Sequence, residues 1–209
     1  NYRFDIASQA LVEFIWKEYC DWYLELSKPI LGDSSQSAEA HRGTRRTLVH
    51  VLEALLRLAH PIMPFITEEL WGTSADRTKM IIHADWPTYA AADLVDAKAD
   101  HEMNWVIGLI ESIRSARQQM HVPAGLYVPM LVTAIDARGQ LAWERNETLI
   151  KRLARIDTLT KADALPKGTV TIPAEGASFG LPLEGGLLPF GDANLKLMVL
   201  EVPILHESK

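Results

Sequence analysis

The sequence predicts an α-helical bundle followed by a small α+β subdomain. Through residues 1–122 apolar side chains recur at three- and four-residue spacing, the pattern of amphipathic helices. From residue 123 onward the pattern changes to short β-rich runs that are bounded by Gly and Pro. We therefore assign residues 1–122 to the bundle, residues 123–186 to the α+β subdomain and residues 187–209 to an atypical tail.

The first predicted helix opens near Asp5, ends near residue 28 and is rich in aromatic residues. Most rings on such a helix belong to a core, because aromatic side chains contribute much of the buried area of a bundle. Tyr19 and Trp22 also have polar edges and lie close to Lys17 and Lys28. A ring beside a cation is a common way to hold an unpaired nucleic-acid base. Core packing and base stacking therefore both stay open for Tyr19 and Trp22.

Two prolines interrupt the next apolar pattern, so we predict helices at 43–60 and 61–71 with a break between them. Pro61 and Pro64 lack a backbone N–H and are tolerated where one helix stops and another begins. Gly72 is expected to close the second helix in a left-handed conformation. His50 and His60 lie in apolar surroundings and are expected to be core or cap residues. A further helix is predicted at 97–120, with a polar loop at 32–41 and an irregular connection at 73–95.

The α+β subdomain is predicted from a turn at residues 123–125 and a β-rich run at 126–135. Pro129 within that run predicts either an edge strand or a bulge. A helix follows at 140–156, and short strands are expected at 158–161, 169–173 and 177–183. Glu175 and Gly176 are expected to join the last two strands as a hairpin.

The net charge of −6 disfavours nonspecific binding to nucleic acid, so the position of the cations matters more than their number. Arg42, Arg45 and Arg46 cluster near the predicted start of the second helix, where cations are slightly unfavourable. Phosphate contact and a solvated helix face explain this cluster equally well. Arg114 and Arg117 lie one turn apart on another helix. For the group at residues 151–155 a solvated face is the simpler interpretation.

Three segments carry a resemblance to a known family. They are RFDIASQALVEFIWKEYCDWYLELSKP at 3–29, RGTRRTLVHVLEALLRLAHPIMPFITEELW at 42–71, and IRSARQQMHVPAG at 113–125. In this order they resemble the C-terminal region of bacterial valine–tRNA ligases. That resemblance covers about residues 1–185. It implies a helical anticodon-binding bundle of the class I synthetase type, a small mixed domain and then a coiled-coil arm.

The resemblance also implies the partners and the chemistry of the whole ligase. The valine tRNA and a catalytic domain of the same protein are the expected partners, and ATP and Mg²⁺ are the cofactors expected for the full-length ligase. The ATP-handling motifs HIGH and KMSKS do not occur in this sequence, so we assign no catalytic residue and no metal ligand here. The expected RNA-binding residues are Arg3, Lys17, Tyr19, Trp22, Arg42, Arg45, Arg46, Arg114 and Arg117.

Two alternative functions stay open at this stage. The first is the equivalent module of an isoleucine– or leucine–tRNA ligase, although the isoleucine type would bring a C-terminal Cys cluster that is absent here. The second is a helical adaptor that binds proteins through its aromatic helix. The single Cys20 is expected to be a buried small hydrophobe. With no secretory leader and no long apolar run, we expect a cytoplasmic chain that binds no membrane.

The tail departs from the pattern of the family. Residues 187–209 show no heptads, so we expect no coiled-coil arm in this tail, and the run LKLMVLEVPIL is typical of a strand. We expect this run to dock on a sheet edge, because an exposed apolar strand seeks a partner. A tail that is foreign to the family is the alternative.

Overall fold

The computed structural model describes residues 2–90 and 94–182, and these residues fold into two compact units. The first unit extends to Ile107 and includes Asn146–Leu149, and the second comprises Gly108–Arg145 and the chain from Ile150 onward. The two units therefore divide within a helix, whereas the sequence pattern changes where that helix ends. The predicted strand in the tail lies outside the described residues.

The first unit begins with a helical stretch from Phe4 to Gly32, close to the predicted helix. It consists of α1 (Phe4–Glu13), a π-helical segment (Phe14–Leu24) and α2 (Glu25–Gly32). The π-helical geometry was not predicted from the sequence. π-Helices are rare and are often found at functional sites. The aromatic run of the sequence thus lies on an unusual backbone.

Helix α3 (Ala38–Ala59) begins five residues earlier than the sequence predicted. The Ser37 side chain accepts a hydrogen bond from the backbone N–H of Ala40 at 3.1 Å and caps the helix. The predicted start at residue 43 was therefore wrong. The arginine cluster lies beyond the first turn, where the helix dipole no longer penalises cations appreciably.

The predicted break at the prolines is confirmed, and helix α4 (Pro64–Ser74) follows it. Pro64 occupies the first helical turn, where its missing N–H costs no intrahelical bond. His60 links the two sides of this break, because its Nδ1 lies at hydrogen-bond distance, 2.8 Å, from the Thr67 hydroxyl group in α4. The prediction for Gly72 was wrong: α4 continues to Ser74, and Gly72 is an ordinary helical residue without a positive φ.

A 3₁₀ turn (Ile81–His83) and helix α5 (Ala97–Gln119) follow along the chain. Ile81 packs with Leu56 and Trp71 in a buried apolar cluster. The indole N–H of Trp71 donates to the backbone oxygen of Lys79 at 3.2 Å, which attaches the irregular connection to α4. The bounds of α5 agree with the predicted helix at 97–120.

The second unit contains a four-stranded mixed sheet in the order β2-β1-β4-β3. The strands are β1 (Val128–Ile135), β2 (Ile156–Lys161), β3 (Thr169–Ala174) and β4 (Ala177–Pro182), and helix α6 (Ala137–Ala154) connects β1 with β2. Strands β1 and β2 are parallel, and the other two pairs are antiparallel. The predicted α+β fold is confirmed.

Pro129 shows which of the two predicted alternatives is correct. Strand β1 pairs with β2 on one side and with β4 on the other, so it is not an edge strand. Its register with β2 shifts between Val128 and Met130, where β2 has one residue more than β1, so a bulge lies in β2 opposite Pro129. A proline is tolerated there because the bulge removes the need for its backbone donor.

The predicted hairpin at Glu175 and Gly176 is also confirmed, since Ala174 pairs with Ala177. Gly176 has a φ of +67°, and a Cβ atom at this position would lie 2.3 Å from the Asp136 carboxylate. Its carbonyl oxygen accepts a hydrogen bond from the Asp136 N–H at 2.8 Å. Glycine is required here for both its backbone conformation and its size.

No helix within residues 2–90 and 94–182 is long and apolar enough to cross a membrane.

Candidate nucleic-acid interface

The clearest candidate for binding a polyanion is a group of arginines on α3, which we call the basic stripe: Arg42, Arg45 and Arg46. All three are exposed. Arg42 and Arg46 are four residues apart and therefore lie on one side of the helix. Within the described part of the chain, none of these guanidinium groups has a hydrogen-bond or ion-pair partner. Their donors are free to bind phosphate oxygens.

Two other arginines, Arg57 within α3 and Arg77 against it, behave differently. Arg57 donates to the backbone oxygen of Asp85 at 3.0 Å, and Arg77 forms an ion pair with the half-buried Glu53. The Arg77 guanidinium also lies 3.8 Å from the centre of the Trp71 ring. These cations attach the irregular connection to the helices. The basic stripe has no such structural role, which leaves ligand contact or simple solvation as its explanation.

An apolar cavity of about 690 Å³ lies within the first unit and includes His50, one turn beyond Arg46. We call it the aromatic cavity and define it by His50, Trp86 and Tyr89. The Nε2 atom of His50 lies 3.2 Å from the Tyr89 hydroxyl oxygen, and the two rings meet edge to face at 5.6 Å. Trp86 and Tyr89 are 56% and 49% exposed. With Phe14, four rings thus line a cavity near the basic stripe.

The aromatic cavity corrects one sequence-based expectation and adds residues that the sequence did not reveal. His50 was expected in the core or at a cap, but its side chain is exposed at the cavity. Trp86 and Tyr89 were overlooked because they fall in a connection without regular periodicity. Two aromatic residues in a segment without regular structure were the available signal, since such rings seldom contribute to a helical core.

Arg3 and Lys17 are exposed, and each pairs with a carboxylate on the same helical stretch, so RNA binding by either stays a prediction. Arg3 binds Asp5 through two contacts of 2.9 and 2.6 Å, and this arginine lowers the pKa of the Asp5 carboxyl group. Lys17 lies 4.0 Å from Glu13. Exposed ion pairs contribute little free energy, so either cation could exchange its partner for a phosphate.

Tyr19 lies in the core, and the alternative of a ring displayed on the surface was wrong. Its side chain is 9% exposed and its ring stacks on Tyr23 at 6.3 Å. Its hydroxyl group donates to the backbone oxygen of Leu48 at 3.1 Å. Burial raises the pKa of Tyr19. Trp22 is half-buried and lines a second cavity of about 510 Å³, so base stacking by Trp22 stays a prediction.

Arg114 and Arg117 belong to the second unit and differ from each other. Arg114 is exposed and donates through Nε to the backbone oxygen of Leu153 at 3.1 Å. Arg117 is only 5% exposed and donates to the backbone oxygens of Arg155, Pro123 and Leu126 at 3.3, 3.1 and 2.7 Å. Burial, and then the charge of Arg155, lower the pKa of Arg117. The expected surface position of Arg117 was wrong, because its donors are used inside the protein.

Across residues 2–90 and 94–182, no three His, Cys, Asp or Glu side chains are grouped so that they could hold a metal ion. Cys20 is a free thiol and half-buried, whereas the sequence predicted a buried small hydrophobe.

Comparison with known proteins identifies the family of this chain. Residues 1–131 match the family model described as the anticodon-binding domain of tRNA ligase. The valine–tRNA ligase of Ruegeria pomeroyi is 65% identical over 183 residues, which cover 88% of this chain and 18% of that protein. The valine–tRNA ligase of Cereibacter sphaeroides is 55% identical over 184 residues, again 88% of this chain and 18% of the relative.

A more distant relative has the same name. The valine–tRNA ligase of Rhizobium meliloti is 39% identical over 201 residues, which cover 94% of this chain and 21% of that protein. The chain thus spans about a fifth of the length of the relatives that it matches.

Proposed function

Because the chain belongs to the anticodon-binding domain family of tRNA ligases, we propose that it is the part of a valine–tRNA ligase that binds the anticodon arm of the valine tRNA. The names of the relatives support the choice of valine over isoleucine or leucine. The observation that carries RNA binding is the basic stripe, three exposed arginines without partners among the described residues.

The proposed contact uses the basic stripe and the aromatic cavity together. Arginine guanidinium groups bind phosphate oxygens in pairs of parallel hydrogen bonds, which fixes the position of the RNA backbone without reading its sequence. Unstacked loop bases are recognised against aromatic rings and through their edges. His50 lies one turn beyond Arg46, and it shares the aromatic cavity with Trp86 and Tyr89, so the cavity offers such rings. The stripe would hold the backbone while a loop base enters the cavity.

Binding of the anticodon arm would support catalysis only by positioning the tRNA. A tRNA held at one end presents its other end to the catalytic domain, and correct orientation is a large part of catalytic rate. ATP and Mg²⁺ would act in that domain, and we assign no residue of this chain to them. We therefore expect the chain by itself not to aminoacylate tRNA. The cytoplasmic location that the sequence suggested stays a prediction.

The catalytic domain of the same ligase is the second proposed partner. Helix α4 presents Phe65 at 90% exposure, together with the exposed Ile66 and Leu70. Apolar side chains grouped on one helix in this way are typical of a surface that another domain covers. A free-standing adaptor would explain these side chains equally well, but it would not explain the basic stripe.

The test of the proposal removes the basic stripe. The triple variant with Arg42, Arg45 and Arg46 changed to Ala should bind valine tRNA more weakly than the wild type. The logarithm of the binding constant should also fall less steeply with the logarithm of salt concentration, by about one unit for each lost phosphate contact. Binding is measured by titration at several salt concentrations.

A matched control changes Lys79, Arg138 and Lys167 to Ala. These residues are also exposed, and none has an ion-pair partner in the described part of the chain. The control lowers the net charge by the same amount. It therefore separates the effect of where the three cations lie from the effect of overall charge. Equal salt slopes for the wild type and the stripe variant, with both proteins folded, would contradict the proposed interface.

A further inference from the structure

Arg155 has a backbone conformation that an arginine rarely adopts. It follows the last residue of α6 with φ +56° and ψ +51°, in the left-handed region. Helices often end on such a residue, but it is usually Gly or Asn, because a larger side chain strains the backbone there. The helix end explains the conformation, and the helix dipole favours a cation there, but a cation in the last turn would serve the dipole without the strain that Arg155 carries. Strained residues of this kind concentrate at functional sites.

The surrounding main chain holds Arg155 firmly. Its N–H donates to the backbone oxygen of Lys151, and its own carbonyl oxygen accepts from Val128 N at 3.1 Å. The same oxygen accepts a hydrogen bond from the buried Arg117 at 3.3 Å. The position of the Arg155 backbone is thus determined by three contacts, and the side chain leaves it in a fixed direction.

The side chain of Arg155 lies against an exposed ring. Its guanidinium group donates to the Tyr127 hydroxyl oxygen at 3.2 Å, and the guanidinium carbon is 5.4 Å from the ring centre. Tyr127 is 44% exposed. Within the described residues the Arg155 side chain has no carboxylate partner. A planar cation and an accessible ring are therefore presented side by side.

We propose that Arg155 and Tyr127 form a second RNA contact, in the α+β unit, that is separate from the basic stripe. The guanidinium group would bind a backbone phosphate, and the ring would carry an unpaired base. Proteins bind single-stranded nucleic acids with this combination of a cation and an aromatic ring. The inference rests on the proposed function, because it assumes that the chain binds tRNA.

The Arg155→Gly variant tests this contact with little risk to the fold. Glycine adopts the left-handed conformation without strain, so the variant should melt at the wild-type temperature or slightly above it. Its affinity for valine tRNA should fall at least fivefold at low salt, and its salt slope should fall by about one unit. Arg138→Ala, which removes another exposed arginine of the same unit, should leave both quantities unchanged.

Two variants of the ring complete the test. Tyr127→Leu should weaken tRNA binding at an unchanged salt slope, because it removes stacking and no charge, and Tyr127→Phe should retain most of the affinity. If Arg155→Gly binds tRNA as the wild type does, the second RNA contact does not exist. A loss of affinity for a protein partner instead of tRNA would also contradict it. Failure of the wild type to bind any tRNA would instead overturn the proposed function, and this inference with it.

Discussion

The guanidinium group of Arg117 donates a hydrogen bond to the backbone oxygen of Leu126 at 2.7 Å, inside the second unit. The same side chain also reaches the backbone oxygens of Pro123 and Arg155. One buried cation therefore fixes the turn before β1 to the end of α6. This arrangement is structural, although the sequence placed Arg117 among the RNA-binding residues.

Changing Arg117 to Ala should lower the free energy of unfolding by about 3 kcal/mol or more. A hydrogen bond from a charged donor contributes about 1.5–3 kcal/mol, and carbonyl groups that lose their partners in the interior add a penalty. Urea denaturation followed by circular dichroism measures this loss. Arg138→Ala serves as the control and should change the free energy by less than about 0.5 kcal/mol, as for most surface substitutions. A stable Arg117→Ala protein would show that the three hydrogen bonds matter little.

Tyr19 provides a second test of a core position. Tyr19→Phe should cost about 0.5–1.5 kcal/mol of stability, because it removes the hydrogen bond to Leu48. Tyr19→Ala should cost about 3–5 kcal/mol, as aromatic truncations in a core do. The folded fraction of both variants should bind tRNA like the wild type. A variant with an unchanged melting temperature and weaker tRNA binding would return Tyr19 to the RNA-contacting group.

The pKa of Tyr19 adds a pH dependence with a defined sign. Burial raises this pKa in the folded protein, so above a pH of about 10 the unfolded chain loses its proton more readily than the folded one. The contribution of Tyr19 to stability is therefore present below its ordinary pKa and is lost as pH rises. The stability difference between the wild type and Tyr19→Phe should narrow in alkaline denaturation experiments.

Two glycines should respond to Ala in opposite directions. Gly72 is an interior residue of α4, and a Cβ atom added there would meet no other atom within 4 Å, so Gly72→Ala should stabilise the protein by about 0.5–1 kcal/mol. Gly176→Ala should destabilise it, because the backbone has a positive φ and Asp136 occupies the space. Thermal unfolding of both variants measures the difference. A destabilised Gly72→Ala protein would favour the left-handed conformation that the sequence suggested.

Local patterns predicted most elements of this fold. Pro61 and Pro64 identified the helix break, and Glu175 and Gly176 identified the hairpin, because each depends on the backbone preference of the residue itself. The start of α3 was misplaced because the polar segment before it has no apolar periodicity and was assigned to a loop at 32–41. Only the three-dimensional structure selects Ser37. The central position of β1 likewise depends on pairing with strands far away in the sequence.

The candidate site was harder to predict for the same reason. The sequence left the basic stripe open between phosphate contact and a solvated face. Arg45 is in helical register with the apolar Leu48 and Leu52, so only the structure shows that all three arginines are exposed. Burial of Tyr19 and Arg117 depends on partners that are 29 and 38 residues distant in the chain. The contact between His50 and Tyr89 spans 39 residues. Periodicity within one helix carries no information about such partners.

Titration of this chain with valine tRNA and with isoleucine tRNA, at equal salt, tests the central claim most directly. We predict tighter binding of valine tRNA, and binding of both that weakens as salt increases, since phosphate contacts through the basic stripe supply most of the affinity. Equal affinity for the two tRNAs would contradict the assignment to valine. The absence of salt-dependent binding to either tRNA would contradict the function itself.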